Sequence, residues 1–60
     1  MSTAPRVTGP KVLVVEDEMT IAANLHQYLE IRGFLVDLAY DGQAAIARIS
    51  AESYDVILLD

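Results

Sequence analysis

Four branched aliphatic residues run directly into three acids at positions 12–18, and this junction constrains the fold more than any other feature. The segment reads VLVVEDE and follows Lys11. Four apolar residues without alternation are typical of a strand buried on both faces, as in a parallel sheet covered by helices. The acids then lie at the carboxyl end of that strand, where open α/β sheets bind their ligands. The junction therefore predicts a metal or phosphate site.

The composition indicates a chain that forms a core. Hydrophobic residues make up 53% of its 60 residues, which is too apolar for a disordered acidic segment despite a net charge of -5. A chain this short buries only about 60% of its unfolded surface, so we expect marginal stability. Nine acids against four bases argue against nucleic-acid binding by this segment and favour basic partners or divalent cations.

The chain has no cysteine, so no disulfide or thiolate site is predicted, which is compatible with a reducing cytoplasm. Residues 1–10 have no apolar central run of the signal-peptide kind, and no window reaches transmembrane length. We therefore expect a disordered tail at 1–10, a cytoplasmic location and no membrane contact.

The segment after the acids predicts an amphipathic helix that begins around Glu18 and ends at Gly33. Gly33 is expected in the left-handed C′ position, with Phe34 at C″ packing on Leu29. His26 has no second ligand at helical spacing and is predicted to be an ordinary histidine on the solvent face. The apolar stripe of this helix comprises Ile21, Ala22, Leu25, Tyr28 and Leu29.

Residues 35–40 alternate partly and predict a second strand at an edge of the sheet. Asp41-Gly42 fits either a two-residue hairpin turn or the start of a helix. The Ala-rich segment 43–49 favours the helix, with Asp41 as its N-cap. Residues 50–54 are predicted to be a connector, and residues 55–59, which include a continuous apolar run, a third strand. Two strand aspartates, Asp37 and Asp55, are expected to face solvent.

The predicted order is βαβαβ, with helices that serve as right-handed crossovers between parallel strands. Strand one, the most apolar, is the best candidate for the centre, which gives the strand order 2-1-3. The gap between strands one and three is then the topological switch point. Glu16 and Asp17 project from one side of that gap and Asp60 from the other.

Three carboxylates that converge without a cation repel one another, by roughly 3 kcal/mol per pair at about 5 Å and an effective dielectric near 20. Mg²⁺ removes that cost and prefers oxygen ligands, so it fits these residues better than zinc. The alternative is that Glu16, Asp17 and Glu18 only favour the N-terminus of the first helix. Asp60, at the matching end of a second apolar strand, favours the metal site.

Four motifs with this spacing resemble the receiver domain of two-component response regulators. They are VLVVEDE, Gly33-Phe34 after a helix, Tyr40-Asp41-Gly42 before the next helix, and DVILLD at 55–60. The resemblance covers residues 11–60 and implies the N-terminal half of a flavodoxin-like (CheY-like) α/β receiver. It also implies that Asp60 is the phosphoacceptor, that Asp17 binds Mg²⁺ directly, and that Glu16 acts chiefly through water, so the expected metal group is Glu16, Asp17 and Asp60.

The chemistry implied by the resemblance is phosphoryl transfer to Asp60 from the phosphohistidine of a sensor histidine kinase or phosphotransfer protein. Receivers normally continue for about as long again and supply a carbonyl metal ligand, a Ser or Thr, and a Lys. We therefore expect the 60 residues alone to accept a phosphoryl group poorly and not to act as an enzyme.

Two other functions compete with this one. A Mg²⁺-dependent phosphohydrolase with an aspartate nucleophile usually has Asp-x-Asp after its first strand, whereas Asp17 is followed by Glu18-Met19. Alternatively, the segment has no chemistry and self-associates through strand three, which would expose apolar Ile57, Leu58 and Leu59 along an unpaired edge.

Overall fold

A computed structural model describes residues 9–60, so the predicted tail lies outside the described residues except for Gly9 and Pro10. The carbonyl of Pro10 accepts a hydrogen bond of 3.0 Å from the Leu35 amide. The element order is βαβαβ, as predicted. The elements are β1 (Lys11–Val15), α1 (Met19–Ile31), β2 (Leu35–Ala39), α2 (Gly42–Ala51) and β3 (Val56–Leu59).

The three strands form one parallel sheet in the order β2-β1-β3, which confirms the predicted topology. Val12 in β1 is in register with Val36 in β2 and with Val56 in β3. Val12, Leu13 and Val14 are buried, because β1 has a strand on each side and a helix on each face. The connection through α1 runs from β1 to β2, and the connection through α2 runs back from β2 past β1 to β3. Because these two connections cross the sheet in opposite directions, right-handed crossovers place the two helices on opposite faces.

Side chains and backbone conformation fix the start of α2 and the end of α1 where the sequence predicts them. Asp41 is the N-cap of α2 and accepts a hydrogen bond of 2.7 Å from the Ala44 amide, so it does not form a hairpin turn. Gly33 has a φ of +95°. Beside it, the Phe34 amide donates to the Leu29 carbonyl and the Gly33 amide to the Glu30 carbonyl, at 3.1 and 3.0 Å. These two bonds form the predicted Schellman stop.

The helix α2 is longer than predicted, because Ser50 and Ala51 belong to it and not to the connector. The Glu52 amide still donates to the Arg48 carbonyl at 2.9 Å, so the helical hydrogen-bond pattern runs to the cap. Ala51 has high helix propensity, which favours this last turn.

The apolar stripe of α1 is narrower than predicted. Ala22 is fully buried, and Leu25 and Leu29 are half-buried, but Ile21 and Tyr28 are exposed. The reason is the position of the helices: within residues 9–60 both pack on β1 and β2, and neither packs on β3. The side of α1 that carries Ile21 and Tyr28 therefore has no second layer to cover it. None of the described helices has the length and apolarity needed to cross a membrane.

Candidate functional site

Two neighbouring strands of the sheet end in acids, and backbone hydrogen bonds hold both acids in place. Glu16 follows β1, and its amide donates to the Ala39 carbonyl at the end of β2, at 3.0 Å. Asp60 follows β3, and its amide donates to the Val15 carbonyl at 3.1 Å. The sheet hydrogen bonding thus continues one residue past each strand. As a result, the structure brings the Glu16 and Asp60 carboxylates together at one edge, as the sequence predicts.

Glu16 is the one buried acid among the described residues, with 5% of its surface exposed. Its Oε2 accepts a hydrogen bond of 2.8 Å from the Glu18 amide. That amide is the largest single influence on the carboxyl and lowers the pKa of Glu16. The neighbouring Asp60 carboxylate, burial and the Asp17 carboxylate act in the opposite direction and together raise the pKa above its usual value of 4.5. The ionised form of Glu16 is therefore disfavoured by its surroundings, and a bound cation would stabilise it.

Glu18 has a structural role that separates it from the other two acids. Its side chain accepts a hydrogen bond of 2.9 Å from the Thr20 amide and so caps α1. The alternative reading of the acidic triplet, that it favours the helix N-terminus, therefore holds for Glu18. Asp17, between Glu16 and Glu18 in the sequence, is exposed.

Glu16, Asp17 and Asp60 have carboxylate oxygens of the kind that bind Mg²⁺, although the three side chains are not arranged as a complete metal site. No group of three or more acidic or histidine side chains in residues 9–60 has the geometry of a metal site. Mg²⁺ in proteins usually keeps several waters and uses only one or two carboxylates, and all three side chains supply the hard oxygen atoms that it prefers. The residues thus match the ion in chemical type.

Among the remaining polar residues, one sequence prediction needs correction. His26 is partly exposed on α1 beside Glu30, with its Nδ1 3.3 Å from Glu30 Oε1, which agrees with an ordinary surface histidine. Asp37 does not face solvent: it is half-buried and accepts a hydrogen bond of 2.6 Å from the Tyr54 hydroxyl. Asp55 is exposed as predicted, but its Oδ2 also accepts from the Lys11 amide at 2.8 Å.

The contacts around Tyr54 were not predicted from the sequence. Besides the bond to Asp37, the Lys11 ammonium lies 5.4 Å from the centre of the Tyr54 ring and pairs with Glu52. The available signal was an acid in the middle of an apolar strand, because a charge there usually has a polar partner.

Comparison with known proteins gives a consistent result. The family model described as the response regulator receiver domain matches residues 12–60. The transcriptional regulatory protein CutR of Streptomyces coelicolor is 46% identical over 50 residues, which are 83% of this chain and 23% of CutR. The transcriptional regulatory protein TcrA of Mycobacterium tuberculosis is 42% identical over 55 residues, 92% of this chain and 22% of TcrA. The chain thus spans less than a quarter of the length of these curated relatives.

A solved structure is also similar: the response regulator protein TrrA from Thermotoga maritima, in complex with Mg²⁺-BeF. The TM-score is 0.76 with 31% sequence identity, over 80% of this chain and 42% of TrrA. The three parallel strands in the order β2-β1-β3 and the two helices of this chain thus match a truncated receiver fold.

Proposed function

Because the chain belongs to the response regulator receiver domain family, we propose that Asp60 accepts a phosphoryl group in a two-component phosphorelay. The donor is a phosphohistidine of a sensor histidine kinase or phosphotransfer protein. The observation that carries this proposal is the position of Asp60, which is exposed at the carboxyl end of β3 and held beside Glu16 at the end of β1.

Asp60 is better placed to act as a nucleophile than Glu16 or Glu18. Glu16 is buried and occupied by the Glu18 amide, and Glu18 caps α1. In the transfer, an Asp60 carboxylate oxygen forms a bond to phosphorus while the bond from phosphorus to the imidazole nitrogen breaks, and the histidine leaves with that electron pair. An aspartate carboxylate is ionised near neutral pH, so no separate base is required.

Asp17, Glu16 and Asp60 are the residues that would hold Mg²⁺. When bound, the ion offsets the negative charge shared by the acceptor and the phosphoryl oxygens. The similar TrrA structure was solved in complex with Mg²⁺-BeF, which supports the proposal that this chain binds a divalent cation. Glu16 contributes by keeping its carboxylate fixed, because the Glu18 amide holds one of its oxygens.

In this role the chain is a phosphoacceptor and not an enzyme, and we expect it in the cytoplasm. Self-catalysed transfer or hydrolysis would require groups outside residues 12–60. The net charge of -5 supports a protein partner and not nucleic acid for this segment.

Phosphorylation of a receiver completed after Asp60 tests the assignment. Acetyl phosphate with Mg²⁺ should add one hydroxylamine-sensitive acyl phosphate, observed by intact mass spectrometry. Asp60→Asn should abolish it. Asp55→Asn is the matched control, because it removes a carboxylate from the other end of β3 but keeps an acceptor for the Lys11 amide. Labelling that survives Asp60→Asn would overturn the assignment.

A second candidate function, self-association through β3, is favoured by one observation. All four β3 side chains are exposed, from 37% for Leu58 to 78% for Leu59. β3 is also an edge strand, and unpaired apolar edges favour pairing with another chain. In this reading the partner is a second copy of the chain.

A further inference from the structure

A hydrogen bond crosses the sheet beneath α2, between the connector before β3 and the middle of β2. The Tyr54 hydroxyl donates to Asp37 Oδ2 at 2.6 Å. Because β1 lies between β3 and β2 in the sheet, the Tyr54 side chain reaches over the central strand to make this bond. We call this pair the Tyr54–Asp37 strap.

Both residues of the strap have further contacts with the core and with α2. The half-buried Tyr54 packs against the core cluster of Leu13, Ala39 and Ala45. Arg48 Nη1, from α2, lies 3.9 Å from the same Asp37 oxygen that accepts the tyrosine hydroxyl. Asp37 therefore joins the connector, β2 and α2, and its charge is shared between a hydroxyl and a guanidinium. Hydrogen bonds to a charged acceptor are roughly twice as strong as neutral ones.

Strand β3 has few other constraints on its register. Neither described helix packs on it, and its side chains are exposed on both faces. Beyond its ladder with β1, it is held at its start by the bonds from the Lys11 amide to Asp55 Oδ2 and from the Asp55 amide to the Lys11 carbonyl, both 2.8 Å. At its end, the Asp60 amide donates to the Val15 carbonyl at 3.1 Å. Strands without a buried face have weakly specified register. A slip of one residue would shift Asp60 by about 3.3 Å and turn its side chain to the opposite face.

We propose that Tyr54 is a positioning residue for Asp60: the Tyr54–Asp37 strap fixes the register of β3 on β1 and so holds the acceptor carboxylate beside Glu16. The role assigned to Asp60 rests on the proposed function, but the effect of the Tyr54–Asp37 strap on the register of β3 does not. Tyr54 acts at one end of β3, and its effect reaches Asp60 through the four residues of the strand.

Amide hydrogen exchange of the 60-residue chain, measured by NMR, tests the proposal. Tyr54→Phe removes the hydroxyl and keeps the ring on the core. We expect the amides of β3 and of Asp60 to exchange about tenfold faster, as for the loss of one hydrogen bond to a charged group, while the amides between β1 and β2 keep their rates. Tyr28→Phe is the matched control: that ring is exposed on α1, its hydroxyl bonds to none of residues 9–60, and no rate should change.

Substitutions of the hydrogen-bond acceptor Asp37 distinguish an effect on the register of β3 from a general stabilisation of the fold. Asp37→Asn keeps a neutral side-chain oxygen for Tyr54 and should preserve part of the protection of β3, whereas Asp37→Leu should match Tyr54→Phe. Combining Tyr54→Phe with Asp37→Leu should add little, because both remove the same bond. Equal acceleration in all three strands would overturn the proposal, and so would β3 amides without protection in the unmodified chain.

The experiments distinguish a failure of the proposed strap from a failure of the phosphoacceptor assignment. We call the effect of the Tyr54–Asp37 strap on the register of β3 the lock. If β3 alone is destabilised by Tyr54→Phe but the completed receiver takes up no phosphoryl group, the lock stands and the phosphoacceptor assignment fails. If Asp60 is labelled equally fast with and without the Tyr54 hydroxyl and β3 exchange is unchanged, the assignment stands and the lock fails.

Discussion

Glu16, Asp17 and Glu18 have similar side chains, and the backbone gives them three different environments. β1 ends at Val15, so Glu16 is still held by the sheet, and the turn that follows brings the Glu18 amide onto its carboxylate. Glu18 is the first residue outside α1 and accepts from an amide of that helix. Position relative to the ends of β1 and α1, not acid type, thus separates the proposed metal ligands from the cap.

Tyr54 provides a prediction at the scale of single residues. Burial, and then the hydrogen bond and charge of Asp37, raise the pKa of Tyr54 above its usual value of 10.0, and Arg48 reduces that shift. The neutral phenol is therefore favoured in the folded chain. Its contribution to the free energy of unfolding is complete below pH 10.0 and is lost as the pH rises through the raised pKa.

Urea unfolding at a series of alkaline pH values measures this contribution. The stability difference between the unmodified chain and Tyr54→Phe should shrink above pH 10.0, and near-ultraviolet absorbance should show one tyrosine that ionises late. Tyr28→Phe should leave the alkaline loss of stability unchanged. A stability difference that stays constant across this range would contradict the assignment of the shift to Tyr54.

The elements owe their ends to residues with few tertiary contacts. Asp41 is exposed, as is Gly33, where an added Cβ would meet no atom within 4 Å. Their effects are local: Asp41 satisfies an amide at the start of α2, and Gly33 adopts the positive φ of the Schellman stop. Such ends are predictable from sequence because the chemistry lies within a few residues.

Removing the cap of α2 should destabilise the chain. Asp41→Ala leaves the Ala44 amide without its side-chain acceptor and should lower the free energy of unfolding by about 1 kcal/mol. For a chain of this size, that corresponds to a fall in Tm of about 4–8 °C. Asp41→Asn keeps the acceptor and should cost only a few tenths of that. Thermal unfolding by circular dichroism checks both, and equal losses would show that the charge, not the cap, matters.

At the scale of the whole molecule, the sheet is asymmetric. β2 and β3 are both edges, but the helices pack on β1 and β2, so β3 is the uncovered side. All four β3 side chains are exposed, so an apolar surface lies along that edge of the sheet. Exposed apolar patches mark interaction sites.

Sedimentation velocity tests whether β3 is the surface that associates. The unmodified chain should form larger species as its concentration rises, and Leu58→Lys should shift it toward the monomer, because a charge on an edge strand disfavours pairing. Ile31→Lys is the control, since Ile31 is 78% exposed but lies on α1, away from that edge. A chain that stays monomeric at every concentration would rule out self-association.

The sequence by itself determined the elements, their parallel order and the edge at which the acids meet. The uninterrupted apolar residues of β1 require cover on both faces, and right-handed crossovers leave few arrangements for three strands. The acids at the strand ends then lie at one edge, because parallel strands end together.

Only the tertiary structure decided how each acid and tyrosine is used. Asp37 and Tyr54 are 17 residues apart, and nothing local in either segment encodes a bond that crosses β1. The burial of Glu16 depends on its packing at the end of the central strand, and the exposure of Ile21 depends on which strands α1 covers. Local patterns specify which residues are apolar or charged, but contacts between distant segments decide which of them are buried, paired or left free.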